Sequence, residues 1–205
     1  MEPADIYAWL AGAPVAGCDG FDAHAVASIL SISLFEAETA HTGVSNAVGL
    51  DGDELADLAT RLFPHTAAVF DRVRGQSRAP APEDEVCLRD LLRRGTTDGT
   101  VLQLRLADMM ARRCLRPNHL WQDLGLRSRR ELGWLMSRHF EPLAARNHAD
   151  MKWKKFFFRT ICRDEGTMLC SAPSCAECDD FDVCFGDESG ESLLARTRRD
   201  AERAA

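Results

Sequence analysis

The sequence has no apolar run approaching the roughly 20 residues that a membrane-spanning helix requires. β-Branched runs are few, and neither a convincing strand pair nor an internal repeat is present, which argues against β and repeat architectures. No Ser/His/Asp set, glycine-rich phosphate loop or paired-carboxylate motif stands out, so the chain does not read as an enzyme with turnover. No secretory leader is expected. The stretch LAGAPVAGC, ending at Cys18, mimics a lipoprotein cleavage site, yet the start carries Glu2 and Asp5, no Lys or Arg, and an interruption at Pro14. The expectation is a soluble, cytoplasmic protein, in whose reducing surroundings clustered cysteines more often bind metal or do redox chemistry than form disulfides.

What the sequence does have is helical rhythm. Leu, Ala, Arg, Asp and Glu abound, and 205 residues can bury one ordinary core. Asp22 is placed to cap a helix with Val26, Ile29 and Leu30 on its apolar face. Asp51 and Glu54 make a capping pair before Leu55, Leu58 and Leu62, and Pro64 stops that run. RGQSRAPAP, residues 74–82, reads as an exposed linker entering the next helix at Glu83, which puts Cys87, Leu88, Leu91 and Leu92 on one side and ends at Gly95. Leu102, Leu106, Met109, Met110 and Arg113 mark a helix ending before Pro117. Ser128 and Glu131 form an S-x-x-E capping box ahead of Leu132, Leu135, Met136 and Phe140, and Pro142 suits the first turn of another helix. MKWKKFFFRTIC predicts a last long helix with Trp153, Phe156, Phe157 and Ile161 inward and Gly166 at its end. The fold class is all-α: an irregular helical bundle over residues 1–166, a compact cysteine loop over 167–188, and a polar, mobile tail over 189–205.

Charge is distributed unevenly around the net −7. Residues 1–100 carry 7 basic and 16 acidic side chains, residues 101–169 carry 14 and 7, and residues 170–205 carry 4 and 9. A basic middle thus precedes an acidic cysteine segment. The overall acidity argues against nucleic acid as a partner.

Of the eight cysteines, four lie within fifteen residues: Cys170, Cys175, Cys178 and Cys184, spaced C-x4-C-x2-C-x5-C. That segment can supply a complete thiolate set to an iron–sulfur-type cluster, and its C-x4-C-x2-C part matches a plant-type ferredoxin run. Structural zinc is the alternative, since four thiolates also satisfy a tetrahedral ion, although zinc modules usually join two separate Cys pairs. Glu177, Asp179, Asp180 and Asp182 crowd carboxylates around thiolates that must lose their protons, so the empty segment repels itself and metal relieves the repulsion. Their hard oxygens could also reach an oxophilic ion beside iron–thiolate corners, although singly such acids more often just solvate a loop. Cys18, Cys87, Cys114 and Cys162 are scattered and read as small buried hydrophobes.

The spacing together with MKWKKFFFRTIC, CFGDE, RPNHLWQDLGL and RHFEPLA resembles the NifQ family over most of residues 114–188. The resemblance implies a molybdenum–iron–sulfur cluster ligated by Cys170, Cys175, Cys178 and Cys184. It further implies delivery of molybdenum to the scaffold NifEN, with NifH participating, during assembly of the iron–molybdenum cofactor of nitrogenase. A plain iron–sulfur electron carrier and a zinc-stapled interaction module are the competing readings. Lys152, Lys155 and Arg159 are auxiliary candidates for holding the anionic cluster or docking a scaffold, against the plainer reading of a wet helix face. His119 and His139 are candidate extra ligands, against the plainer reading of satisfied structural imidazoles. His24, His41, His65 and His148 offer less.

Overall fold

Apolar residues at helical spacing bury themselves around one long central helix. The computed structural model describes residues 1–13, 19–164, 166, 184 and 188–204, and every regular element among them is helical. In chain order these are α1 (Pro3–Ala11), α2 (Gly20–Thr39), α3 (Val44–Val48), α4 (Gly52–Leu62), α5 (Ala67–Phe70), α6 (Glu83–Arg94), α7 (Val101–Cys114), α8 (Leu120–Asp123), α9 (Arg129–His139), α10 (Glu141–Arg146), α11 (Trp153–Asp164) and α12 (Leu193–Ala204), with 3₁₀ turns at Pro64–Thr66 and Asp71–Val73. Helix α2 is the hub for α1, α3 and α12, which pack on it, and α6 and α7 pair with each other. Its Val26, Ile29 and Leu30 are buried as expected, and so are Ser28, Ser31 and Ser33. Ser28 and Ser31 donate to the carbonyls one turn back, which satisfies their hydroxyls inside the core.

Several predicted boundaries coincide with the observed ones. The Asp51–Glu54 capping box forms, α6 begins at Glu83 and meets Gly95, and α7 stops before Pro117. Trp153, Phe156 and Phe157 are buried, Ile161 packs against the core, and Gly166 adopts the left-handed conformation just past the helix. Residues 74–82 are largely exposed but pinned: Gly52 donates to the Gln76 carbonyl, and the Arg78 and Ala79 amides donate to Asp51 and Asn46.

Three expectations need correction. The cap of α2 is Asp19, whose carboxylate accepts from the Phe21 and Asp22 amides; Asp22, inside the first turn, pairs with Arg138 and His139 instead. Only half of the Ser128–Glu131 box exists. Ser128 accepts from the Glu131 amide, but Glu131 turns to the Arg127 amide and His24, because a buried carboxylate gains more from several donors than from one cap amide. Residues 193–204 were read from their polarity as part of a mobile tail, yet they form α12, an amphipathic helix that buries Leu194 and packs on α1 and α2.

Buried charges knit the helices together. Asp108, fully buried on α7, accepts a two-pronged contact from Arg93 of α6 at 2.7 and 2.6 Å. Arg113 is only 1% exposed; it donates to the Asp123 carbonyl at 2.6 Å and to both oxygens of Glu36 at 2.7 and 2.8 Å.

Candidate metal centre

The platform that Cys184 joins is assembled from the sequence phrases that carry the family resemblance. In RPNHLWQD, a short non-helical turn between α7 and α8 leaves the carbonyls of Arg116 and Asn118 without helix partners, as helix ends do. Lys154, on the first turn of α11, donates its ammonium to both carbonyls and to the buried carboxylate of Asp123. One amphipathic lysine therefore nails MKWKKFFFRTIC to RPNHLWQD. Gly125 lets this region press on the hub: its φ is +72°, and a Cβ there would lie 2.8 Å from the Ser28 carbonyl oxygen.

The cysteine segment follows α11 in sequence, and its last cysteine is tied back to that platform. Cys184 is half-buried against the core, and its carbonyl accepts from the Lys152 amide at 2.8 Å. Beyond it, Glu188 is 5% exposed and lies 2.9 Å from Arg129 Nη1 and 3.3 Å from His119 Nδ1. Arg129 also donates to the Asp150 carboxylate and to the Asp150 and Met151 carbonyls, which locks the approach to Lys152. Burial alone would lower the Arg129 pKa, but hydrogen bonds to Asp150 and Glu188 raise it, so this cation stays charged. Gln122 completes the arrangement by accepting from the His119 amide and donating to the Ser189 carbonyl.

Of the residues singled out by sequence, Cys170, Cys175 and Cys178 lie outside the described residues. Cys184 is placed as above, its carbonyl bonded to the main chain of Lys152, and His119 contacts Glu188. Lys155 is exposed and Arg159 half-buried on α11. His139 is remote from this cluster: buried at the end of α9, it contacts Asp22 at 3.0 Å, as a satisfied structural histidine does. Among the described residues no three His, Cys, Asp or Glu side chains converge as a metal-ligating group. Cys114 is fully buried, and burial pushes its thiol up to about 12, so it is an inert core residue. Glu188 and Arg129 escaped sequence reasoning. Their one available signal was the Glu188 carboxylate closing the phrase CFGDE, and nothing local links it to an arginine at the start of α9.

The donor chemistry fits a sulfur-ligated metal cluster. Four thiols within fifteen residues can supply every ligand, one of them already has its main chain fixed, and Arg129 holds Glu188 four residues beyond it. Among the described residues, no helix is long and apolar enough to cross a membrane.

Comparison with known proteins agrees with these phrases. The NifQ family model matches residues 25–186. The chain is 42% identical to the protein NifQ homolog of Sinorhizobium fredii over 84% of this chain and 75% of that one. It is 43% identical to protein NifQ of Azotobacter vinelandii over 69% and 78% of the two chains, and 35% identical to protein NifQ of Rhodobacter capsulatus over 80% and 89%. No solved structure is a significant match. A match that runs from the hub helix through the cysteine segment, with relatives aligned over most of their own length, means that this chain belongs to the NifQ family.

Proposed function

We propose that this NifQ-family protein serves nitrogen fixation as a molybdenum donor for the iron–molybdenum cofactor of nitrogenase. Its cargo is a molybdenum–iron–sulfur cluster held by Cys170, Cys175, Cys178 and Cys184. The recipient is the scaffold NifEN, with NifH participating, in the cytoplasm. The observation that carries this reading is the complete thiolate set in C-x4-C-x2-C-x5-C, inside the span of the family match. Thiolates suit iron, and the interspersed carboxylates suit a harder, oxophilic metal in the same cluster. A donor must hold its cargo and then surrender it, which favours a segment tied back at its last cysteine over a site packed inside the bundle. Lys152, Lys155 and Arg159 offset the negative charge of such a cargo.

Metal analysis of protein purified without oxygen tests this. Molybdenum together with iron and sulfide is the expected result. Iron and sulfide alone would point to an electron carrier, and zinc alone to a stapled interaction module; either outcome overturns the donor reading.

Glu188 provides a finer test. Glu188→Gln keeps the shape but removes the carboxylate that Arg129 and His119 share. Loss of a charge-assisted contact at this partly buried site, about 1.5 kcal/mol, should speed loss of metal to a chelator by roughly 10-fold, with helicity by circular dichroism unchanged. Equal loss rates in the two proteins would show that the Glu188 contact does not help retain the cargo.

A further inference from the structure

Helix α12 and the turn between α8 and α9 line a cleft of about 320 Å³, together with His24 of α2; Arg127, Arg198, Arg199 and Glu202 are among its residues. Cations on two separate elements face one space there, and among the described lining residues Glu202 alone is acidic. Glu131, behind the cleft, accepts from the Arg127 amide at 2.8 Å and contacts His24 Nε2 at 3.4 Å. Burial pushes the Glu131 pKa up, but those hydrogen bonds outweigh it and the net shift is downward, so the group is a spent carboxylate. The Arg127 guanidinium comes no nearer to it than 3.9 Å and is 59% exposed. Arg198 lies 4.6 Å over the Tyr7 ring, so among the described residues its guanidinium meets an aromatic face and no carboxylate. Tyr7 is itself fixed by a 2.8 Å hydrogen bond to His24 Nδ1. Arg199 is held by Glu191 and Asp200 at the rim. Glu202 is the opposing charge in the lining.

We propose that this cleft is a binding site for a tetrahedral oxyanion of the phosphate, sulfate and molybdate class. Arg127 and Arg198 are its principal donors. Guanidinium forks match oxyanion geometry, and an arginine of the lining stacked on a fixed tyrosine is better organised than a loose surface charge. The anion bridges α12 to the core, so binding should also slow cleavage of α12 by protease. This site consists of described residues alone and stands whether or not the cysteine segment carries molybdenum.

The test is equilibrium dialysis of the full chain against radiolabelled sulfate, phosphate or molybdate in separate arms, at constant ionic strength held with chloride. Arg127→Gln is expected to weaken binding about 10-fold, the usual scale for losing a charge-assisted contact. Arg198→Gln should do the same and Glu202→Gln should tighten binding several-fold. Arg94→Gln, on the exposed side of α6, is the charge-matched control and should change nothing. Binding that falls equally in Arg94→Gln, or that Glu202→Gln leaves untouched, is nonspecific attraction and overturns the site. So does the absence of saturable binding of all three anions. Among positive outcomes, molybdate bound well above sulfate and phosphate identifies a route for the metal, and equal binding identifies a general phosphate-type site. Because Arg127 lies outside α12, its variant remains informative if Arg198→Gln unfolds that helix.

Discussion

Arg113→Ala is expected to lower the free energy of unfolding by about 3–5 kcal/mol, the range for breaking a buried ion pair from one side. Arg113 is the largest of the fully buried side chains and joins three elements, reaching from α7 to Glu36 on α2 and to the Asp123 carbonyl on α8. Truncation leaves a void where the stem packed, an orphaned carbonyl and a carboxylate without its forked partner. For a chain of this size that loss corresponds to a fall in melting temperature of roughly 10 °C. Arg116 supplies the control, since it contacts the same Glu36 at 2.8 Å from a side chain 39% exposed. Exposed pairs contribute about 1 kcal/mol or less, so Arg116→Ala should be nearly silent. Equal melting shifts in the two variants would show that burial is not what gives the Arg113 pair its weight. Burial pushes the Glu36 pKa up, but hydrogen bonding and charge from Arg113 prevail and bring it below the ordinary glutamate value of 4.5. A lowered carboxyl pKa stabilises the fold above the unfolded value, and that stability is lost as the pH falls below it. Acid unfolding of Arg113→Ala should accordingly depend less steeply on pH just below 4.5.

Cys178→Ala is expected to abolish molybdenum donation. A cluster anchored by four thiolates loses one corner, and a vacated corner exposes the metal to water and to competing thiols. Measured as nitrogenase cofactor assembly with molybdate scarce, activity should drop by more than about 10-fold, the scale on which even outer-shell changes act on metal sites. Cys87→Ala, a half-buried thiol on α6, should retain donation. Donation by Cys178→Ala at the parental level would remove the ligand assignment, whatever the metal content of the parent protein.

Sequence periodicity was most informative where one face alone is buried. Helices α6, α7 and α11 show this, because Leu88, Leu106 or Phe157 must recur every third or fourth position to reach the core. It was least informative for the hub and the end. Helix α2 is buried on several sides, so its apolar residues make no stripe and its start was misplaced by one turn. In α12 a single deeply buried leucine, Leu194, sits among charged residues, and docking on α1 could not be foreseen from composition. At the candidate site the thiolate spacing was plain, since ligands from one segment are legible in one segment. The supports were not, because Lys154 to Asp123 and Arg129 to Glu188 are long-range pairings that only the folded chain brings together.

The amide of Lys152 bonded to the carbonyl of Cys184 joins two points of the main chain between which Cys170, Cys175 and Cys178 fall in sequence. Drawing the ends of such a span together costs on the order of 3 kcal/mol in chain entropy. Because that junction contains no sulfur, the metal cargo proposed above would meet two ends that folding has already drawn together. On that proposal its release would leave the junction tied and the protein ready to be filled again.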